Sequence, residues 1–262
     1  MADSDFNFEE LRGLRNSANF AVDGLTQTLQ SFSSSIRSIV DSYTFHFAQL
    51  ARSLSESMRP FRAIRVLAEN QYVYWSFFTA EFLDEILETN NINRTLREIN
   101  VKTKYSETEQ IIKTIINDQR VSQNQKIFAQ AVTAFHHGNV DLSLLGLLAV
   151  TDGLLSLISH NNTTSIFKRA NAILGKIEDD DDIDNEEYGI LALTYTFRKT
   201  METLSANSSF DKKEPKGLNR HWIMHGRSCR KKTKLDCVKI IRFIYAILLI
   251  DDLSKSEAER SK

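Results

Sequence analysis

Apolar side chains recur at steps of three or four residues along much of this 262-residue chain. From Leu25 to Leu54 this spacing is unbroken, which places one apolar face along about eight turns of helix. The pattern predicts a long amphipathic helix over about residues 20–58, ending near Pro60, because proline stops or kinks a helix. Its polar positions are mostly Ser and Thr, so the charged pairs of a strong coiled coil are lacking. We expect it to pack on the rest of the chain or on a partner chain.

A second apolar pattern, dense in aromatic residues, predicts another helix over about residues 62–89. Because Leu and Ile share its helical spacing, the pattern favours a core helix over a platform for stacking nucleic-acid bases. Residues 90–106 are polar and predict a connection with some helix, and helical spacing resumes over residues 107–117. Residues 1–120 are therefore expected to form a helical N-terminal region.

The most regular helical patterns follow residue 120. Gly and Pro number only 9 and 2, which favours long helices joined by few turns. The fold class is therefore expected to be all-α, with a helical bundle over residues 121–255. Its predicted helices are 125–137, ended by Gly138-Asn139; 141–160; one capped by Thr163 or Thr164 and running to Ile177; 187–205; and the apolar, buried 235–253.

The formal net charge of −1 gives the whole molecule no attraction for polyanions, but the charges are segregated locally. Residues 178–187 hold eight acids and no base, which predicts a solvated loop. Residues 212–234 hold nine bases and one acid, so any nucleic-acid contact is expected there. The acidic run lacks the glycine turn of a calcium-binding EF-hand loop, and we expect no metal and no cofactor.

The most apolar stretch, from Val140 to Ile158, approaches the length of a membrane span. It contains Asp141 and Asp152, each of which would cost a few kcal/mol in lipid, so a buried core helix is favoured. The first residues are acidic and lack the charge pattern of a signal peptide. We therefore expect a soluble, cytoplasmic protein without a membrane partner.

Candidate chemistry is concentrated in residues 218–228, which hold Arg220, His221, His225 and a glycine beyond a basic loop. These residue types suit cleavage of RNA by its own 2′-hydroxyl group. An imidazole can remove the hydroxyl proton and protonate the leaving oxygen, and a guanidinium can neutralise the phosphate charge. The alternative is that both histidines only stabilise a helix end or a turn.

The geometry of this segment has two possible outcomes. If it is helical, Arg220 and His225 are five positions apart and about 140° apart around the axis, so they share no face. If it is extended or a tight turn, the two side chains can converge. The sequence leaves both outcomes open.

The string NRHWIMHG, residues 219–226, followed by a charged stretch and an apolar helix, resembles the R-x4–6-H signature of the HEPN superfamily. It is most similar to the NRHxxxHG form of abortive-infection and related defence or toxin proteins. Upstream, FAQAVTAFHHGNVDLSLLGLLAVTDGLLSLI resembles the opening helix pair of that superfamily, in which an acid often precedes glycine. Asp152-Gly153 takes that place, and the resemblance covers roughly residues 122–253.

The resemblance implies a helical bundle that forms a homodimer, with the motifs of two subunits facing each other. It implies a metal-independent endoribonuclease that leaves 2′,3′-cyclic phosphate ends and acts as a toxin or phage-defence (abortive infection) effector. Arg220 would stabilise the phosphate charge in the transition state, and His225 would be the acid/base. His221, Asn219 and Asp152 would support them.

Beside such a site, the basic residues after the motif are predicted to bind the RNA backbone, although a solvated charged loop is the alternative. The expected partners are RNA, a second copy of the chain and an antitoxin or defence-system protein. Two other functions remain open, a non-catalytic helical interaction module and a nucleotide-sensing module. The predicted RNA-binding residues are Arg227, Arg230, Lys231, Lys232 and Lys234.

Overall fold

The computed structural model describes residues 58–76, 79–160, 165–174, 185–206 and 209–260. Within these ranges the regular structure is helical and contains no strand, so the predicted all-α class is confirmed. The long helix predicted over about 20–58 lies outside them except for its last residue. The predicted caps Thr163 and Thr164 and most of the acidic run lie outside them as well.

The described part of the chain forms ten α-helices and one 3₁₀ helix. They are α1 (Arg59–Glu69), α2 (Ala80–Leu87), α3 (Ile92–Lys102), α4 (Ser106–Asn117), a 3₁₀ helix (Gln119–Asn124), α5 (Gln125–His136), α6 (Val140–Ser159), α7 (Ile166–Leu174), α8 (Asn185–Leu204), α9 (Arg220–Met224) and α10 (Lys234–Arg260).

Several predicted boundaries agree with these helices to within a few residues. Helices α4, α5, α6 and α8 match their predicted ranges, and α10 continues beyond the predicted end at residue 253. Gly138 ends α5 with a φ of +77°, as the predicted stop signal requires. Pro60 lies in the first turn of α1, where its missing N–H leaves no helical bond unmade.

The single helix predicted over about 62–89 is wrong. Helix α1 ends at Glu69, Gln71 adopts a φ of +58°, and the chain is non-helical from Tyr72 to Trp75 before α2 begins. The three residues from Tyr72 to Tyr74 are all buried, which one face of a surface helix cannot achieve for consecutive positions. The spacing of the aromatic residues resembled that of a helix face. The local structure is instead decided by burial of the chain on both sides from Tyr72 to Tyr74.

Residues from both sides of position 120 share one hydrophobic core. Leu67 and Ile115 belong to the same buried cluster as Leu147, Phe197 and Phe243. The described part of residues 58–120 is therefore packed on the bundle, while the proposed division into two regions stays a prediction about folding units.

Helix α6 lies at the centre of the bundle, packed against α5, α7 and α10. By length and composition alone it is the one helix among the described residues that could cross a membrane, with a mean hydropathy of 1.9. In the structure, 56% of the most apolar 18-residue stretch of α6 is buried inside the protein. Its buried face, including Leu147 and Leu154, is part of the core.

Arg242 on α10 ties the non-helical segment between α1 and α2 to the core. It is 1% exposed, and its guanidinium carbon lies 4.5 Å from the ring centroid of Tyr72 and 4.2 Å from that of Trp75. Its Nε donates to the carbonyl oxygen of Val73 at 2.8 Å, and Nη1 lies 2.8 Å from a carboxylate oxygen of Glu107. The segment thus wraps a buried cation with two ring faces and a backbone acceptor.

We expect Arg242→Met to destabilise the fold by about 3 kcal/mol, because a charge-assisted hydrogen bond contributes about 1.5–3 kcal/mol and a desolvated cation–π contact about 2 kcal/mol. Urea unfolding followed by circular dichroism measures the change. The control is Arg94→Met, which removes an exposed pair with Glu98 on α3 and should alter stability by less than about 0.5 kcal/mol. Equal effects of the two substitutions would contradict this role of Arg242.

Candidate functional site

The sequence-predicted motif forms the short helix α9, and its two ends are fixed by local hydrogen bonds. Asn219 is the N-cap, since its Oδ1 accepts from the backbone N–H of Trp222 at 3.1 Å. Its Nδ2 donates to the carbonyl oxygen of Ala206 at 2.8 Å, and the residue is 1% exposed. Gly226, with a φ of +65°, ends the helix and lets the N–H of Arg227 reach the carbonyl oxygen of Trp222 at 2.8 Å.

In this arrangement Asn219 and Trp222 stabilise α9 and its packing on the bundle. Trp222 and Ile223 are buried on the side of α9 that faces the core. Asn219 anchors the start of the helix to the end of α8 through Ala206. Helix α9 therefore has a core-facing side, and its chemistry-bearing side chains lie on the remaining surface.

Arg220 forms an ion pair with Asp152 of α6, through Nη2 and Oδ2. The Arg220 side chain is 26% exposed, so part of it remains open to solvent. The other carboxylate oxygen, Oδ1 of Asp152, accepts from Nη2 of Arg169 at 2.8 Å. The sequence therefore selected two residues, Arg220 and Asp152, that meet in the structure across 68 positions of chain.

The two histidines of the motif lie side by side. His221 and His225 are one helical turn apart, with ring centroids separated by 4.6 Å and planes at 69°. Phe210 stacks on the His221 ring at 4.4 Å with planes at 3°, and its centroid lies 5.6 Å from that of His225. His225 is exposed. A loop phenylalanine thus packs against both imidazoles.

Arg220 and His225 are not joined directly. Of the two outcomes that the sequence left open, the structure shows the helical one. The side chains of Arg220 and His225 therefore project about 140° apart around the axis of α9. Arg220 points to α6 and His225 to the Phe210 loop, and no hydrogen bond or ion pair links them in the described part of the chain. One copy of the chain therefore presents the guanidinium and the imidazole on separate sides of α9.

The predicted RNA-binding residues fall into two groups. Arg230 lies 3.1 Å from a carboxylate oxygen of Asp236, and Lys232 lies 2.8 Å from one of Asp141, so their charges are compensated within the chain. The other three form no ion pair with a carboxylate in the part of the chain that the structure describes. They are Arg227, whose guanidinium carbon lies 4.9 Å from the Phe210 centroid, Lys234, whose Nζ lies 5.2 Å from the Phe135 centroid, and the exposed Lys231.

Glu214, the only acid in residues 212–234, organises the segment after the motif. Its carboxylate accepts from Oγ of Ser228 at 2.5 Å and from the backbone N–H groups of Cys229 and Arg230 at 2.9 and 3.3 Å. Partial burial raises the pKa of Glu214, but these hydrogen bonds outweigh burial and hold the pKa below its usual value. The carboxylate thus stays charged at neutral pH and fixes the start of the basic segment.

Sequence reasoning missed Arg169, Phe210 and Glu214. Glu214 carried a signal, as a lone acid among bases, and Phe210 carried a weaker one, as an aromatic residue in a polar loop. Arg169 carried none, because its partner Asp152 is distant in sequence. Across the described ranges, no group of three or more His, Cys, Asp or Glu residues is placed to hold a metal ion.

Comparison of the chain with protein-family models finds no match, and comparisons with curated proteins and with solved structures find none either.

We expect Phe210→Leu to lower the free energy of unfolding by about 1 kcal/mol, the usual contribution of an aromatic pair. Loss of the ring current should also move the ring-proton NMR resonances of His221 downfield, because these protons lie over the face of the Phe210 ring. Phe210→Tyr keeps the ring and is the matched control. Unchanged His221 resonances in Phe210→Leu would show that the stack is not formed in solution.

Proposed function

We propose that this chain is a metal-independent endoribonuclease of the HEPN type that acts in the cytoplasm as a toxin or phage-defence effector. The observation that supports the proposal is the arrangement on α9. A partly exposed arginine held by Asp152 and an exposed histidine flank one helical turn beside a basic segment. This is the residue set that cleavage by the RNA's own hydroxyl requires.

The proposed reaction needs no external nucleophile. His225 accepts the proton of the ribose 2′-hydroxyl, and the 2′ oxygen attacks the adjacent phosphorus. The bond from phosphorus to the 5′ oxygen of the next nucleotide breaks, and that oxygen takes up the proton from the His225 imidazolium, which restores the neutral imidazole. The products are a 2′,3′-cyclic phosphate and a free 5′-hydroxyl, with no change of oxidation state.

Arg220 is proposed to stabilise the charge that builds up on the phosphate oxygens. A guanidinium is planar, always charged and able to donate two parallel hydrogen bonds to a phosphate. Its ion pair with Asp152 limits the positions that the side chain can take, which favours catalysis because less conformational freedom is lost on binding. His221 supports the site by packing beside His225.

The proposal includes a homodimer, because one chain presents Arg220 and His225 on different sides of α9. Two copies facing each other would bring the arginine of one beside the histidine of the other. Leu142 and Leu145 of α6 are 62% and 39% exposed. Leu145 lies two turns before Asp152 on the same side of α6, roughly 10 Å along the axis. This apolar surface adjoins the Arg220 pair and is where we expect the second copy to pack.

RNA is proposed to approach over the basic side of the site, where the uncompensated charges lie. Among the described residues these belong to Arg227, Lys231 and Lys234 and to the exposed lysines of the preceding loop, Lys212, Lys213 and Lys216. Binding that depends on such contacts weakens steeply as salt is raised, because bound counterions are released from the phosphates. An antitoxin or a defence-system protein is the proposed partner that restrains the activity in the cell.

Incubation of the purified protein with total RNA in EDTA tests the reaction. We expect cuts that end in 2′,3′-cyclic phosphate, and a loss of at least about a hundredfold in Arg220→Ala and His225→Ala, as for removal of a catalytic acid/base. The matched controls are Arg62→Ala and His137→Ala, which alter exposed residues on α1 and just after α5. These should cleave like the wild type.

The other functions give different outcomes in the same assay. No cleavage by the wild type, with a rise in melting temperature on adding nucleotides, would favour a nucleotide-sensing module. No cleavage and no such rise would favour a helical interaction module.

Co-expression of Arg220→Ala and His225→Ala chains tests the shared pocket. A mixed dimer would hold one complete pocket, from the arginine of one chain and the histidine of the other, so the mixture should regain about one quarter of wild-type cleavage. If each pocket lay within one chain, every chain in the mixture would lack a catalytic residue and no activity would return.

A further inference from the structure

Arg169 on α7 is a buried cation that directs its guanidinium at the same aspartate as Arg220. It is 5% exposed. Nη1 donates to the backbone carbonyl oxygen of Asp152 at 2.8 Å and also contacts Oγ of Ser156. Nη2 donates to Oδ1 of Asp152 at 2.8 Å. Three acceptors on two successive turns of α6 therefore hold Arg169 in one position.

The carboxylate of Asp152 is shared between the two arginines. Oδ1 faces Arg169 and Oδ2 faces Arg220. An isolated pair of Asp152 with Arg220 would be neutral, whereas the three side chains together carry a net charge of +1. Because attraction between charges is strong where water is largely excluded, this difference decides whether the arginine that reaches the surface can attract an anion.

We propose that Arg169 is a positioning residue that keeps Arg220 available to a phosphate. It holds Asp152 in place, and its charge competes with Arg220 for the carboxylate, so the pair at the surface is not neutralised. This inference rests on the proposed function in naming the RNA phosphate as the anion. The net charge of +1 would attract any oxyanion to Arg220.

The first test uses inorganic phosphate as the probe and no RNA. Isothermal titration calorimetry should detect phosphate binding to the wild type. We expect this binding to be lost in Arg220→Ala and its affinity to be about tenfold weaker in Arg169→Gln. The double variant Arg169→Gln with Asp152→Asn should regain affinity, because removing the carboxylate charge frees Arg220 again. A purely structural Arg169 predicts the opposite, a double variant at least as weak as Arg169→Gln.

Arg169→Lys keeps the charge and makes the test independent of whether Arg169→Gln folds. It should bind phosphate within about threefold of the wild type, since a lysine supplies the same charge as a point source. Phosphate binding that is absent from the wild type, or lost in Arg169→Lys as fully as in Arg220→Ala, would overturn the inference.

The second test reads the same variants in RNA cleavage. In Arg169→Gln we expect kcat to fall by about ten- to a hundredfold, the loss that a misplaced catalytic group produces, with a smaller change in KM. The double variant should cleave faster than Arg169→Gln. If the wild type binds phosphate through Arg220 but cleaves no RNA, the nuclease proposal fails and the role of Arg169 stands. If the wild type cleaves RNA while the double variant stays as slow as Arg169→Gln, the nuclease proposal stands and the role of Arg169 fails.

Discussion

The carboxylate of Asp152 is the constraint around which the candidate site is arranged. It lies on α6, the most apolar of the described helices, and its side chain is only 25% exposed, so pairing offsets the cost of its partial burial. Its two oxygens join α7 and α9 to that helix through Arg169 and Arg220. Electrostatic pairing thus sets the position of α9 on the bundle, and the same pairing leaves a guanidinium at the surface.

A second set of buried polar contacts links the residues before position 120 to the site. Gln71, with its positive φ, accepts from the backbone N–H of Leu218 at 2.5 Å and donates to the Leu218 carbonyl oxygen at 2.7 Å. Arg242 holds the adjoining segment by its contacts with Tyr72 and Trp75. The non-helical segment between α1 and α2 therefore holds Leu218, the residue just before the motif, in position. A substitution that disrupts this segment should displace α9.

Charge in the basic segment has two uses. Some of the basic residues form ion pairs that attach the segment to α6 and α10. Lys232 pairs with Asp141 of α6, and Arg230 pairs with Asp236 of α10. The carboxylate of Glu214 fixes the backbone between these pairs and the motif. A count of basic residues therefore overstates the charge available to a polyanion, and the uncompensated residues near α9 define the face where RNA binding is proposed.

The sequence by itself determined the all-α class and the helices whose pattern is local. Helices α5, α6, α8 and α10 follow from repeated apolar spacing and from stop signals such as Gly138, because these act between residues a few positions apart. Arg220 and His225 were selected on residue type, and Asp152 was selected on the resemblance of residues 122–253 to the HEPN superfamily. These properties need no knowledge of distant contacts.

Only the tertiary structure decided the rest. The break at Gln71, the aromatic packing of Phe210 on His221 and the second arginine on Asp152 all depend on partners far away in sequence. Burial from several sides overrode the helical spacing of the aromatic residues near Tyr72, and local spacing carries no information about which surfaces will meet. The separation of Arg220 from His225 likewise became fixed only when the caps at Asn219 and Gly226 closed a helix between them.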